Sequence, residues 1–296
     1  TYVASIDVAL TRAVIWASLW NAVRDGLLDP RRFIVAVLTA VPAETEPAIR
    51  DRLLLFVAEA ISSFLPGSLR TDVHDQVLAT TIRLSRETED ADAWRSYTRA
   101  FIAEFAARGG DEYEATVRGF AASDNPDIAW RARRALAARG LVDAGAVEAW
   151  RSADGSGEAA RMSVEALASL PIEEARSHAW DSVYSETLSN DFLTATLAGL
   201  QASSWDGETG IEAAVDRLRS YWESHTIGMA LRYANGVLAY GLDIDRDGSV
   251  ERSVGLLRSW LDTNDDAPAQ LRRIVIEHLD AFERDERVQR RWKQDQ

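Results

Sequence analysis

Apolar residues recur along nearly the whole chain at intervals of three and four, the period of an α-helix with one buried face. The first such run spans Ile6 to Asp25. Ile6, Leu10, Trp16, Leu19, Trp20 and Val23 share one face there, and Trp16 and Trp20, one turn apart, are placed to stack along it. Gly26 can end this helix in a left-handed conformation. Asp29 then caps a second helix, with Pro30 at its first position, where a missing N–H costs nothing. The product is a helical hairpin with a broad apolar side that only further elements can cover.

The rest of the chain supplies them. Thr45 to Leu65 carries LLLFVAEAISSFL, apolar almost all round, which predicts burial between neighbours before Pro66-Gly67 ends it. Val73–Ser85 and Ala93–Ala107 form the next pair, the latter closed by Gly109-Gly110. Asn125, Pro126 and Asp127 make a strong helix start, and Gly140 a stop. Asp143 caps a short helix over Ala144–Trp150, and Glu158–Leu170 follows the soft turn Asp154-Gly155-Ser156-Gly157. Pro171 begins another helix, and Asn190 caps one over Phe192–Leu200. Ser203–Gly210 reads as a loose loop. Helices are predicted over 211–223 and 225–240, a loop over 241–249, a helix over Val250–Leu261, and after Pro268 a long helix to the chain end. Leu271, Ile274, Val275, Leu279 and Phe282 form the apolar stripe of that last helix.

No stretch alternates apolar and polar residues with β-branched enrichment, so the predicted fold class is all-α. Regular helix lengths and short polar breaks favour one domain over 1–296, a HEAT-like α-solenoid of antiparallel hairpins curved into a bowl. A compact irregular helical bundle is the alternative.

Charge and composition narrow the function. The formal net charge of −14 repels a phosphate backbone, and the only basic cluster near the end, Arg290–Lys293, is short, so nucleic-acid binding is not expected. An acidic surface would instead attract cationic peptides. There is no cysteine, which removes disulfides, thiolate metal sites and cysteine nucleophiles and fits a reducing, cytoplasmic setting. No apolar run is long enough to span a bilayer and none reads as a signal peptide. The start at Thr1 rather than Met reads as a fragment or processed product. The ten tryptophans are expected to be mostly core anchors.

Candidate chemistry is sparse. The chain has four histidines, His74, His178, His225 and His278, each on a different predicted helix, so no two can form a His-Glu-x-x-His zinc pair. His278 reads as a packed, hydrogen-bonded residue and the other three as surface or helix-end residues. No Gly-x-Ser-x-Gly elbow exists. The sharpest local motif is Asp243-x-Asp245-x-Asp247-Gly248, the first half of a calcium-binding loop. Its twelfth position is Val254 rather than the bidentate Glu, and Glu251 stands at the ninth. A weak calcium site and a solvated acidic turn are the two readings.

Four blocks, in order, resemble the C-terminal helical domain of the aminopeptidase N family of zinc metallopeptidases. TRAVIWASLWNAVRDGLLDPRRF carries Trp16, Trp20, Arg24, Asp25 and Phe33, with Asn21-Ala22 where the family usually has Asp-Met. DIAWRARRALAARGLVD carries Asp127, Trp130 and Gly140, with Ala129 in place of an arginine. SLPIEEARSHAWDSVYSETLSN carries Pro171, Glu174, Ala175, Trp180, Val183, Ser189 and Asn190, while Ile172 and Arg176 replace a threonine and a lysine. APAQLRRIVIEHLDAFERDERVQRRWKQD carries Pro268, Leu271, Arg272, Arg273, Glu277 and Asp280. Between 200 and 260 the match thins.

The resemblance implies a non-catalytic domain that caps the active site of a zinc-dependent aminopeptidase and gates or positions its peptide substrates. Zinc and the catalytic residues would belong to upstream domains of the same polypeptide, which with peptide substrates are the implied partners. It also implies that Arg272 or Arg273 holds a peptide's C-terminal carboxylate. Only one can face a given side, since adjacent helical residues point about 100° apart. A salt bridge to a neighbouring helix is the plainer role for either arginine. A free-standing helical scaffold for protein–protein interaction is the rival reading, and a calcium-regulated module a third.

Overall fold

A computed structural model describes residues 2–185, 188–202 and 208–294. The fold is all-α: sixteen α-helices and no strand occur among the described residues. In order they are α1 (Ala9–Arg24), α2 (Pro30–Ala40), α3 (Pro47–Glu59), α4 (Gly67–Glu87), α5 (Ala91–Arg108), α6 (Glu114–Ala121), α7 (Pro126–Ala138), α8 (Ala144–Ala153), α9 (Gly157–Ala168), α10 (Glu173–Val183), α11 (Asn190–Ala202), α12 (Glu208–Asp216), α13 (Leu218–Ser224), α14 (Ile227–Val237), α15 (Leu256–Thr263) and α16 (Ala269–Gln294). They form two compact units: Thr1–Glu104 with Gly241–Val254 and Asp280–Gln296, and Phe105–Tyr240 with Gly255–Leu279.

In the first unit the predicted opening hairpin forms. Gly26 adopts φ 70°, and the amide of Leu27 reaches back to the Ala22 carbonyl at 2.7 Å, closing α1. The Asp29 carboxylate accepts from the Arg31 amide at 2.8 Å and starts α2. The core gathers Trp16, Trp20, Val23, Phe33, Ile34, Leu53, Val57, Ile61 and Phe64. The two tryptophans turn to phenylalanines rather than to each other. Trp20 stacks on Phe56 with ring centroids 4.4 Å apart, and Trp16 meets Phe33 edge-on at 6.1 Å. The first helix starts at Ala9, not Ile6, and Leu10 lies outside the core at 74% exposure. The helix predicted over 45–65 ends as α3 at Glu59 and continues as a π-turn, Ala60–Phe64; Leu55 on it faces solvent.

A buried ion pair sits in this unit. Arg12, on α1, donates through Nε and Nη2 to the two oxygens of Glu44 at 2.9 and 2.6 Å. Its Nη1 donates to the carbonyls of Ile6 and Asp7 at 2.8 and 3.1 Å, fixing the segment that leads into α1.

The second unit is built on α7, α9 and α11. Asn125 caps α7 through its side chain, as predicted, and Trp130 lies fully buried with Nε1 donating to Asp154 at 3.0 Å. Helices α9 and α11 approach so closely that a Cβ on Gly199 would stand 2.3 Å from the Glu165 carbonyl oxygen. Several boundaries differ from expectation. Helix α10 starts at Glu173, two residues after Pro171. Ser189, not Asn190, caps α11, its Oγ accepting from the Phe192 amide at 3.3 Å. The helix predicted over 211–223 is two, α12 and α13, and α14 is capped by Thr226. Residues 203–207 of the predicted loop lie outside the described residues, and α12 already begins at Glu208. Of the tryptophans, Trp16, Trp20, Trp130 and Trp260 are buried and five are half-buried, while Trp205 lies outside the described residues.

Candidate functional site

Arg272 and Arg273 lie on the first turns of α16 and, as their spacing requires, point to different surroundings. Arg272 Nη1 donates to the carbonyls of Leu261 and Asn264 at 2.9 and 2.5 Å. It therefore satisfies the orphan carbonyls at the end of α15. Arg273 is 70% exposed and pairs with Glu277 one turn on, at 3.3 Å. Neither makes the inter-helix carboxylate pair that was the plainer expectation.

Two carboxylates of the acidic motif are engaged within the fold, and its aspartates do not converge on one point. Asp243 Oδ1 accepts from the amides of Gly67 and Asp245 at 2.8 and 3.0 Å, and Asp245 Oδ2 accepts from the Ser68 amide at 2.8 Å. These carboxylates cap the N-terminus of α4 from the far end of the sequence, where free amides and the helix dipole favour negative charge. Lys293 pairs with Asp245, and Gln289 Nε2 donates to the Ser63 and Leu242 carbonyls, each at 2.8 Å. Burial works against ionisation of Asp245, yet the Lys293 ammonium and the Ser68 donors outweigh it and hold that carboxyl down, at about 2. Asp247 is exposed. Among the described residues no group of three or more His, Asp or Glu side chains is arranged to hold a metal ion.

The histidines are dispersed. His74 is no surface residue: it is tied on α4 to Glu104 of α5, both largely shielded from water. His225 ends α13 with its ring stacked on Tyr221, centroids 3.8 Å apart. His278 is half-buried, and that burial pushes its imidazole below the usual range. These side chains do not fit a zinc ion.

A cavity with a mainly apolar wall, which sequence reading missed, lies in the second unit between α9, α10 and α11. It holds about 470 Å³ and is lined by Leu167, Leu170, Ile172 and Phe192 together with Glu174 and His178. Glu174, His178 and Ser182 recur every four residues on α10, which marked a common face in the sequence. The opposing wall comes from α9 and α11 and had no local signal. Such a wall suits an apolar group with one polar end.

A sequence profile described as the ERAP1-like C-terminal domain matches residues 4–284, nearly the whole chain. The chain belongs to the ERAP1-like C-terminal domain family. Aminopeptidase N of Streptomyces lividans is 27% identical over 296 residues, an overlap that covers 95% of this chain and 33% of that protein. The chain thus spans about a third of the length of the curated relative it matches. The four blocks that resemble aminopeptidase N are carried by an ERAP1-like C-terminal domain, so the chain is the C-terminal-domain part of an aminopeptidase N-like protein. No helix among the described residues is long and apolar enough to cross a membrane.

Proposed function

We propose that this chain is the non-catalytic C-terminal domain of a zinc-dependent aminopeptidase N, where it caps the active site and gates or positions peptides for removal of their N-terminal residues. The observation that carries the reading is the match over residues 4–284 in a chain that has no His-Glu-x-x-His. Its histidines do not fit zinc, so zinc would be held by upstream domains of the same polypeptide, and no step at the metal is assigned to residues here. Closing a site with such a domain excludes water and orders the substrate. A cytoplasmic setting, consistent with the cysteine-free composition, is part of this proposal.

Of the two arginines assigned to a peptide's C-terminal carboxylate, Arg273 is the better placed. Its guanidinium is exposed and shared only weakly with Glu277, whereas Arg272 serves α15. Exchange of one carboxylate for another at Arg273 costs little.

The test compares the full-length polypeptide with a version ending before Thr1, on substrates from a single aminoacyl amide to long peptides. Loss of the dependence of kcat/KM on peptide length, with cleavage of the shortest substrate retained, is the expected outcome. An unchanged length profile would overturn the gating role.

A further inference from the structure

The exposed side of α1 carries no charge. Its solvent-facing residues are Leu10, Thr11, Val14, Ala17, Ser18 and Asn21, in a chain that is 27% charged. Other long helices of the same unit show the ordinary pattern: Asp72 and Asp75 stand on the outer face of α4, and Arg287 and Arg290 on that of α16. The two charged residues of α1 are Arg24 in its last turn and Arg12, which is turned inward to Glu44. A helix that is apolar on its inner face and uncharged on its outer one is built to be covered on both. Leu10 is 74% exposed and Val14 57%, and just ahead of them Tyr2 and Val8 are also open. Large apolar side chains exposed together on an uncharged helix face mark an interaction site.

We infer that the outer face of α1 is the surface on which this domain docks against the part of the polypeptide that precedes it. The inference rests on the reading above and adds the face and the partner. Three observations select that occupant. The family is a C-terminal domain and the chain spans 33% of its relative, so polypeptide lies N-terminal to the domain in such proteins. The stripe lies on the first helix, next to the joint, where a covalently tethered neighbour has a high effective concentration. Arg12 clamps the lead-in segment through the Ile6 and Asp7 carbonyls, so the joint leaves α1 in one direction and its partner meets a preordered surface.

The test uses the full-length polypeptide with single cysteines at Leu10→Cys, Val14→Cys and, as reference, Ile276→Cys on α16, which is 43% exposed in the second unit. Maleimide labelling at each site is read by peptide mass spectrometry. These are surface positions, so folding survives the substitution. Exposure in the chain alone would make Leu10→Cys the fastest to label; the docked face reverses that order, with Leu10→Cys and Val14→Cys about tenfold slower than Ile276→Cys because an interface core excludes the reagent. Labelling at positions 10 and 14 as fast as at 276 overturns the inference. So does slow labelling that becomes fast on dilution to monomer, since a second copy would then be the cover. A full-length product no longer than this chain removes the proposed function itself, and the mass of the purified protein reports that outcome separately.

Discussion

Replacing Asp285 with asparagine should stabilise the protein, and only above a definite pH. Asp285 lies half-buried on α16, and loss of water pushes its carboxyl up to about 7 against a usual 3.8. Glu59 adds repulsion in the same direction; the Arg284 and Arg24 guanidinium groups and a hydrogen bond to Ser63 oppose it. The folded state thus binds this proton more tightly than the unfolded chain. Linkage then fixes the sign: the contribution is fully present below 3.8 and is lost as pH rises through about 7. A shift of roughly three units at about 1.4 kcal/mol each sets a ceiling of about 4 kcal/mol. Asn keeps the size and a hydrogen-bonding amide but never ionises. Urea unfolding of both proteins should therefore coincide at about pH 4, diverge by about 1.4 kcal/mol per unit between about pH 4 and about pH 7, and level off above that with Asp285→Asn the more stable. A difference that stays flat with pH, or a wild type that gains on the variant as pH rises, would refute the reasoning.

Gly199→Ala should destabilise despite its better helix propensity, because the new Cβ meets the Glu165 carbonyl oxygen and the Ala168 Cβ at 2.3 and 2.7 Å, and backbone cannot yield as a side chain can. A gain of about 1 kcal/mol in propensity is outweighed by overpacking, for a net loss of about 1–2 kcal/mol in denaturant unfolding. Arg12→Met should lower the thermal midpoint by leaving the Glu44 carboxylate buried without its partner, and adding Glu44→Leu should restore most of it. Asp245→Asn should flatten the acid limb of the stability profile. Its carboxyl is held at about 2 against a usual 3.8, so its contribution is present above 3.8 and lost as pH falls through about 2. Calcium should leave the thermal midpoint unmoved, since the Asp243 and Asp245 oxygens already serve α4 and Lys293; a rise with calcium concentration would show a site at the motif.

The candidate residues divide by how far their partners lie along the chain. Gly26, Asp29, Asn125 and Asp143 act within their own turn, and each stands in the structure as the sequence predicts. The aminopeptidase N resemblance was legible too, because tryptophans and caps sit in ordered blocks. The capping role of the acidic motif had no local mark, because Asp243 finds Gly67 across 176 residues. The partners of Arg272 were not legible, because its acceptors are carbonyls at the end of the preceding helix, and a carbonyl has no residue letter. His74 looked like a surface residue until α5 brought Glu104 against it.

The all-α class and most of the helices were therefore determined by the sequence alone, since periodicity, caps and breakers act over a few residues at a time; the short α6 was not anticipated, and the single helix predicted over 211–223 is two. Tertiary structure decided which polar groups were already satisfied. It committed two carboxylate contacts to the start of α4, one guanidinium to the end of α15, and turned Arg12 inward while leaving Leu10 and Val14 outside. The reason is physical: a buried charge or free helix end must find a partner wherever packing puts one, and packing joins segments whose separation along the chain carries no local mark.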